Sequence, residues 1–161
     1  YSKNSKLNYF YLMRKLLPLL LLPLIFITCT TDAKRMEMQT DAMLEFMDAS
    51  GLDFTATGTG LYYHIEKEGD LSRIPDSSHL VSFKHIGYLI DSSVFSNGWY
   101  ASGFYPLPGL VQGFQEGLKI AGEGGRAVVV FPSNLGYGEE GASTVPAWSP
   151  LIFRLELVSY Y

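Results

Sequence analysis

The chain has 161 residues, 47% of them hydrophobic and 17% charged, with a formal net charge of −4. All sixteen acidic residues lie after Thr28, so the part from Cys29 onward sets eight basic residues against sixteen acidic ones, a net of −8. That balance argues against nucleic acid and anionic headgroups as partners; the length suits one domain with appendages, and a single Cys excludes an intramolecular disulfide.

The N-terminus reads as an export signal. Met13-Arg14-Lys15 is a short basic start, Leu16–Thr28 an apolar core of 13 residues, and Cys29 closes it. A core of that length is short for a bilayer span and fits the apolar region of a signal peptide. Residues 1–12 then read as sequence upstream of a start at Met13. The segment resembles a bacterial lipoprotein signal, which implies cleavage before Cys29 and lipidation of its thiol. Phe26-Ile27-Thr28 departs from the usual small-residue pattern there. More than one acyl chain anchors stably, so the expected location is the bacterial cell envelope, on the outer membrane, facing periplasm or surface.

A polar tether, Thr30–Arg35, leads into Met36–Ser50, where Met36, Thr40, Met43, Leu44 and Met47 share one helical face and Gly51 stands as a stop. Methionine stripes are adaptable packing surfaces, so this helix packs on the domain or forms a homodimer with a second copy. Phe54–Gly60 is rich in Thr and Gly and reads as a linker. The organisation is therefore 1–28 upstream residues and signal, 29–59 tether, helix and linker, and 60–161 the main domain.

From Leu61 the period changes to that of strands. Leu61–Glu66, Leu80–Ile90, Val94-Phe95, Arg126–Phe131 and Leu151–Val158 are rich in β-formers. The last alternates apolar with charged, which implies antiparallel sheet with one buried face. Asp91–Ser93, Asn97-Gly98 and Gly122–Gly125 read as turns. Between them, Leu110, Val111, Phe114 and Leu118 fall three and four apart on a short helix. Gly113 and Gly117 each cost such a helix about 1 kcal/mol against Ala. Packing must hold it, and small residues let another layer approach closely. The expected fold is α+β, a curved antiparallel sheet wrapped around one short central helix.

The order Val81-x-Phe83-x-His85-x-Gly87-x-Leu89-x-Asp91, then Phe95, Leu110-Val-Gln-Gly-Phe-Gln-Glu-Gly-Leu118, Pro132, Tyr137-Gly138, Val145-Pro146 and Leu151–Leu157 resembles FKBP-type peptidyl-prolyl cis/trans isomerases. The resemblance runs from Leu80 to Val158 and implies the same fold. It implies catalysis by Phe95, Val111, Phe114, Tyr137 and Phe153, with substrate held by His85, Ser96, Tyr105, Leu110 and Val145. It also implies proline-containing polypeptide clients, no cofactor and no metal.

Three positions depart from the family pattern. His85 stands for a wall Tyr, Ser96 for a pocket Asp and Phe114 for the floor Trp. Ser96 and His85 lean toward the other reading, a non-catalytic binding or chaperone module anchored to the membrane; Phe95, Val111 and Tyr137 favour an isomerase. His64, His79 and His85 have no metal-ligand spacing, and Gly122–Gly125 lacks the Lys-Ser/Thr ending of a phosphate loop.

Overall fold

The computed structural model describes residues 22–100 and 103–161. The start of the expected export signal, up to Leu21, lies outside the described residues. The chain divides into two units, 1–37 and 38–161, and the second holds every described strand. No helix among the described residues is long and apolar enough to cross a membrane.

Helix α1 runs Leu22–Ser50, longer than the expected Met36–Ser50. The residues read as a tether, Thr30–Arg35, are helical, and Cys29 falls within the same helix. The reason is the absence of a breaker. Pro23 sits in the first turn, which tolerates it, and no Pro or Gly follows until Gly51. From Met38 onward the buried face is Gln39, Met43 and Met47, flanked by half-buried Phe46. Leu44, expected on that face, is 47% exposed.

Seven strands form one antiparallel sheet among the described residues: β1 Thr55–Ala56, β2 Tyr62–Lys67, β3 Leu80–Leu89, β4 Val94–Asn97, β5 Tyr105–Pro106, β6 Arg126–Phe131 and β7 Leu151–Tyr160. Their order is β1-β2-β6-β7-β3-β4, with β5 also on β3. β1 is an addition to the expected linker. Thr55 and Ala56 pair with Tyr63 and Tyr62, and Gly58 and Gly60, at φ of 90° and 99°, make the reversal between them.

The short helix α2 is Gln112–Ala121. It starts two residues later than the apolar spacing suggests. Leu107–Gly109 forms a 3-10 turn, and Leu110 and Val111 are extended, Val111 being the N-cap. Phe114, Leu118 and Ala121 then face the concave side of the sheet, against Val129, Phe131, Phe153, Leu155 and Leu157. The two glycines set the distance. A Cβ on Gly113 would stand 2.5 Å from the Phe131 ring, and one on Gly117 would stand 2.8 Å from Leu155. Complete burial of Leu118 contributes about 1.5–3 kcal/mol.

Strand alternation puts Val128, Val130 and Ile152 on the convex side, where Met43, Met47 and Phe46 of α1 cover them. Gln39 Oε1 accepts the Ser133 N–H at 2.8 Å, satisfying a buried donor after β6. Farther along the same side lies a charged ladder. Glu156 accepts from Lys84 at 3.1 Å and from Arg126 Nε at 3.0 Å. Arg154 donates to Glu66 at 2.8 Å. Trp99 lies against both guanidinium groups, 5.0 Å from Arg126 and 5.2 Å from Arg154.

Candidate active site

A cleft of about 170 Å³ opens where the start of α2 meets the concave sheet. Phe114, in the first turn of α2, forms its floor. The Phe83 and Phe153 rings each lie 4.9 Å from the Phe114 ring, edge to face. Such contacts add roughly 0.5–1.5 kcal/mol beyond burial and fix the rings in place. Phe153 is buttressed from behind by Phe131, stacked at 5.9 Å, and by Phe95 at 5.3 Å. Gly109, Leu110 and Val111 make the wall before the helix, and Tyr137 the wall after β6. The extended backbone at Leu110 and Val111 turns both residues toward the cleft instead of onto the helix stripe.

Two hydrogen-bond donors at this cleft are free. Neither the Tyr137 hydroxyl nor the Val111 N–H has a partner among the described residues. The Val111 N–H precedes the first helical turn, where backbone donors have no intrahelical acceptor. Two further polar side chains complete the lining. His85 on β3 and Ser96 on β4 face each other, with Nε2 2.8 Å from Oγ. Burial lowers the His85 pKa below its ordinary value of 6.5, so the imidazole is neutral at neutral pH. Among the described residues no charged side chain lines the cleft.

Of the ten site residues expected from sequence, Val111, Phe114, Tyr137, Phe153, His85, Ser96 and Leu110 are brought together around the cleft. The other three stand elsewhere. Phe95 is a backing residue, edge-on to Phe153 and 6.4 Å from the Tyr137 ring. Val145 is 5% exposed and belongs to the core. Tyr105 is an exposed rim residue, its ring 5.4 Å from Phe83. Phe83 was not among the expected site residues, although two-residue alternation along β3 puts it on the same face as His85. Gly109 carries no side chain to signal a role. Among the described residues no cluster of His, Cys, Asp or Glu could hold a metal ion.

A curved antiparallel sheet around a short helix, with an aromatic cleft at the helix start, defines a class. Residues 72–158 match the family of FKBP-type peptidyl-prolyl cis-trans isomerases, and the chain belongs to that family. It is 33% identical over 130 residues to the probable FKBP-type peptidyl-prolyl cis-trans isomerase FkpA of Neisseria meningitidis, covering 79% of this chain and 47% of that one. It is 35% identical over 105 residues to FkpA of Escherichia coli K12, covering 63% and 38%. The crystal structure of Escherichia coli FkpA superposes with a TM-score of 0.65 at 26% identity, over 91% of this chain and 72% of that one. A peptidyl-prolyl cis-trans isomerase from Pseudomonas syringae shares the fold, with a TM-score of 0.64 at 24% identity over 77% and 94%. The chain spans about half the length or less of these two curated relatives.

Proposed function

We propose that the chain is a peptidyl-prolyl cis/trans isomerase acting on proline-containing polypeptides of the cell envelope. The observation that carries this reading is an uncharged aromatic cleft with two free donors at its wall. Rotation about an X-Pro bond meets a barrier of about 20 kcal/mol, because the partial double bond is lost at the twisted state. Water favours the polar planar amide. A cleft floored by Phe114 and walled by Phe83 and Phe153 removes that preference and grips the proline ring. The Tyr137 hydroxyl and Val111 N–H hold the flanking carbonyl oxygens. No bond is made or broken, so no nucleophile, base or cofactor takes part.

A protease-coupled or NMR-exchange assay of the full chain on a short X-Pro peptide tests the reading. Acceleration of isomerisation is expected; a wild-type protein that folds but gives no acceleration would show a binding module instead.

The envelope location rests on the signal-like Met13–Cys29 segment, and lipid on Cys29 is part of the same proposal. Mass spectrometry of the membrane fraction decides it, since unmodified Cys29 in the mature chain defeats the lipid anchor. For a homodimer, Met43 and Met47 are already spent on the chain's own sheet. A second copy would meet the exposed side carrying Met38 and Leu44, and sedimentation of Leu44→Glu checks it.

A further inference from the structure

His85 and Ser96 fill two of the three positions where the sequence leaves the family pattern, and the structure joins them in one hydrogen bond. Its direction follows from the other ring nitrogen. His85 Nδ1 is buried with no partner among the described residues. Gly98 closes that edge of the ring, since a Cβ there would stand 2.6 Å from Nδ1. Phe83 and Phe114 flank the ring at 5.6 Å each and Phe153 at 6.1 Å. An N–H at Nδ1 would be a buried donor without an acceptor, and orphaned buried donors are rarer in native structures than under-satisfied acceptors. The proton therefore sits on Nε2 and is given to Ser96 Oγ.

A hydroxyl that accepts from histidine keeps its own proton to give. The Ser96 side chain has no other hydrogen bond among the described residues, and it lines the cleft. We propose that His85 holds Ser96 as a hydrogen-bond donor to a backbone carbonyl oxygen beside the substrate proline. A carboxylate at position 96 could only accept there, so the pair reverses the polarity of this corner of the site. Ser96 touches substrate; His85 is a positioning residue acting through it. The inference deepens the isomerase reading and rests on it.

The charge state of the ring is set locally. Tyr137 is the other titratable side chain lining the cleft. Lys84, next to His85 on β3, turns to the opposite face and pairs with Glu156. Among the described residues nothing charged therefore faces the imidazole to favour its cation.

The test uses the full chain and an X-Pro peptide, with turnover and peptide affinity measured side by side. Ser96→Ala is expected to weaken peptide affinity and kcat/KM about three- to tenfold, chiefly through KM, the worth of one neutral hydrogen bond. Ser96→Thr keeps the hydroxyl and should stay near wild type, whereas Ser96→Asp should fall as far as alanine. His85→Phe should copy Ser96→Ala, and His85→Tyr should restore the rate by donating from its phenol. Long-range nitrogen–proton NMR gives an answer independent of turnover, with Nε2 protonated and Nδ1 bare. Protonated Nδ1, an unchanged Ser96→Ala, or a more active Ser96→Asp each overturns the inference while leaving the isomerase standing. Loss of both turnover and peptide binding in the wild type overturns the isomerase reading, and the substrate contact with it.

Discussion

The two faces of the sheet use the same strands for opposite ends. On the convex face the charged groups of the ladder are paired: Glu156 takes two cations, Arg154 takes Glu66, and nearby Gln39 satisfies the Ser133 N–H. On the concave face the Tyr137 hydroxyl and the Val111 N–H have no partner among the described residues, and both stand in a ring of aromatics. Groups without a protein partner in a cleft that solvent reaches stay ready for a ligand. The convex face holds the sheet together; the concave face leaves contacts to be completed.

Truncations on the two faces should separate these roles, and they carry the largest expected effects. Leu118→Ala and Met43→Ala each remove a side chain exposed by 1% or less, and each should cost about 2–5 kcal/mol in urea unfolding. Only the first is expected to lower kcat/KM in the protein that remains folded, because Leu118 lies one turn beyond the cleft floor on α2. Equal losses of activity would erase the division between the faces. Next comes Phe114→Ala, which admits water to the cleft and removes the platform under the proline. It should lower kcat/KM by at least about tenfold, or ~1.4 kcal/mol of transition-state stabilisation. Turnover indifferent to Phe114→Ala, in a variant shown to be folded by circular dichroism, would remove the aromatic cleft from the mechanism.

How much of this was legible in the sequence differs between the same two faces. Strands such as Arg126–Phe131 show directly because β-branched residues and flanking Gly and Pro mark them. The glycines of α2 were readable as a demand for close packing, and their contacts with Phe131 and Leu155 meet it. The start of α2 was not, because Leu110 and Val111 continue the apolar spacing while the backbone there is still extended. Helix α1 was read too short because polar Thr and Asp look like a tether yet break nothing. The convex stripe on α1 was misplaced at Leu44, since Gln39, a polar residue, takes a buried place by bonding to Ser133. The His85–Ser96 bond lies between strands, where sequence spacing carries no signal, and so two apparent losses to the site turn out to satisfy each other.

Tyr137→Phe should cost less than loss of the floor. The substitution keeps the ring against Phe95 and removes one neutral hydrogen bond, worth about 0.5–1.5 kcal/mol net, or roughly three- to tenfold in kcat/KM. A loss confined to KM would place the bond in the bound ground state; a loss in kcat would place it in the twisted amide. No change in either would exclude the hydroxyl from the site.

The smallest effect, and the one that tests both faces at once, is the dependence of stability on pH. Burial lowers the His85 pKa from its ordinary 6.5. As pH falls the unfolded chain therefore takes up that proton before the native one does. The contribution is fully present above pH 6.5 and is lost as pH falls from there toward the folded value. For Glu156, burial raises the pKa, but hydrogen bonds from Arg126 and Lys84 outweigh it and leave the net value below 4.5. Its contribution is present above pH 4.5 and is lost as pH falls toward the folded value. The concave face thus weakens in mild acid and the convex ladder only in stronger acid. Asp70, Asp76 and Asp91, each lowered by hydrogen bonds from the serine two residues on, add to the acid limb. The readout is therefore the difference from wild type: urea midpoints of His85→Phe should lose the slope just below pH 6.5, and those of Glu156→Gln should lose part of the slope below pH 4.5. Salt sharpens the contrast, because it screens the partly exposed cations around Glu156 and leaves the burial of His85 untouched. A single slope, shared by both variants and equally sensitive to salt, would mean that the two faces do not titrate apart.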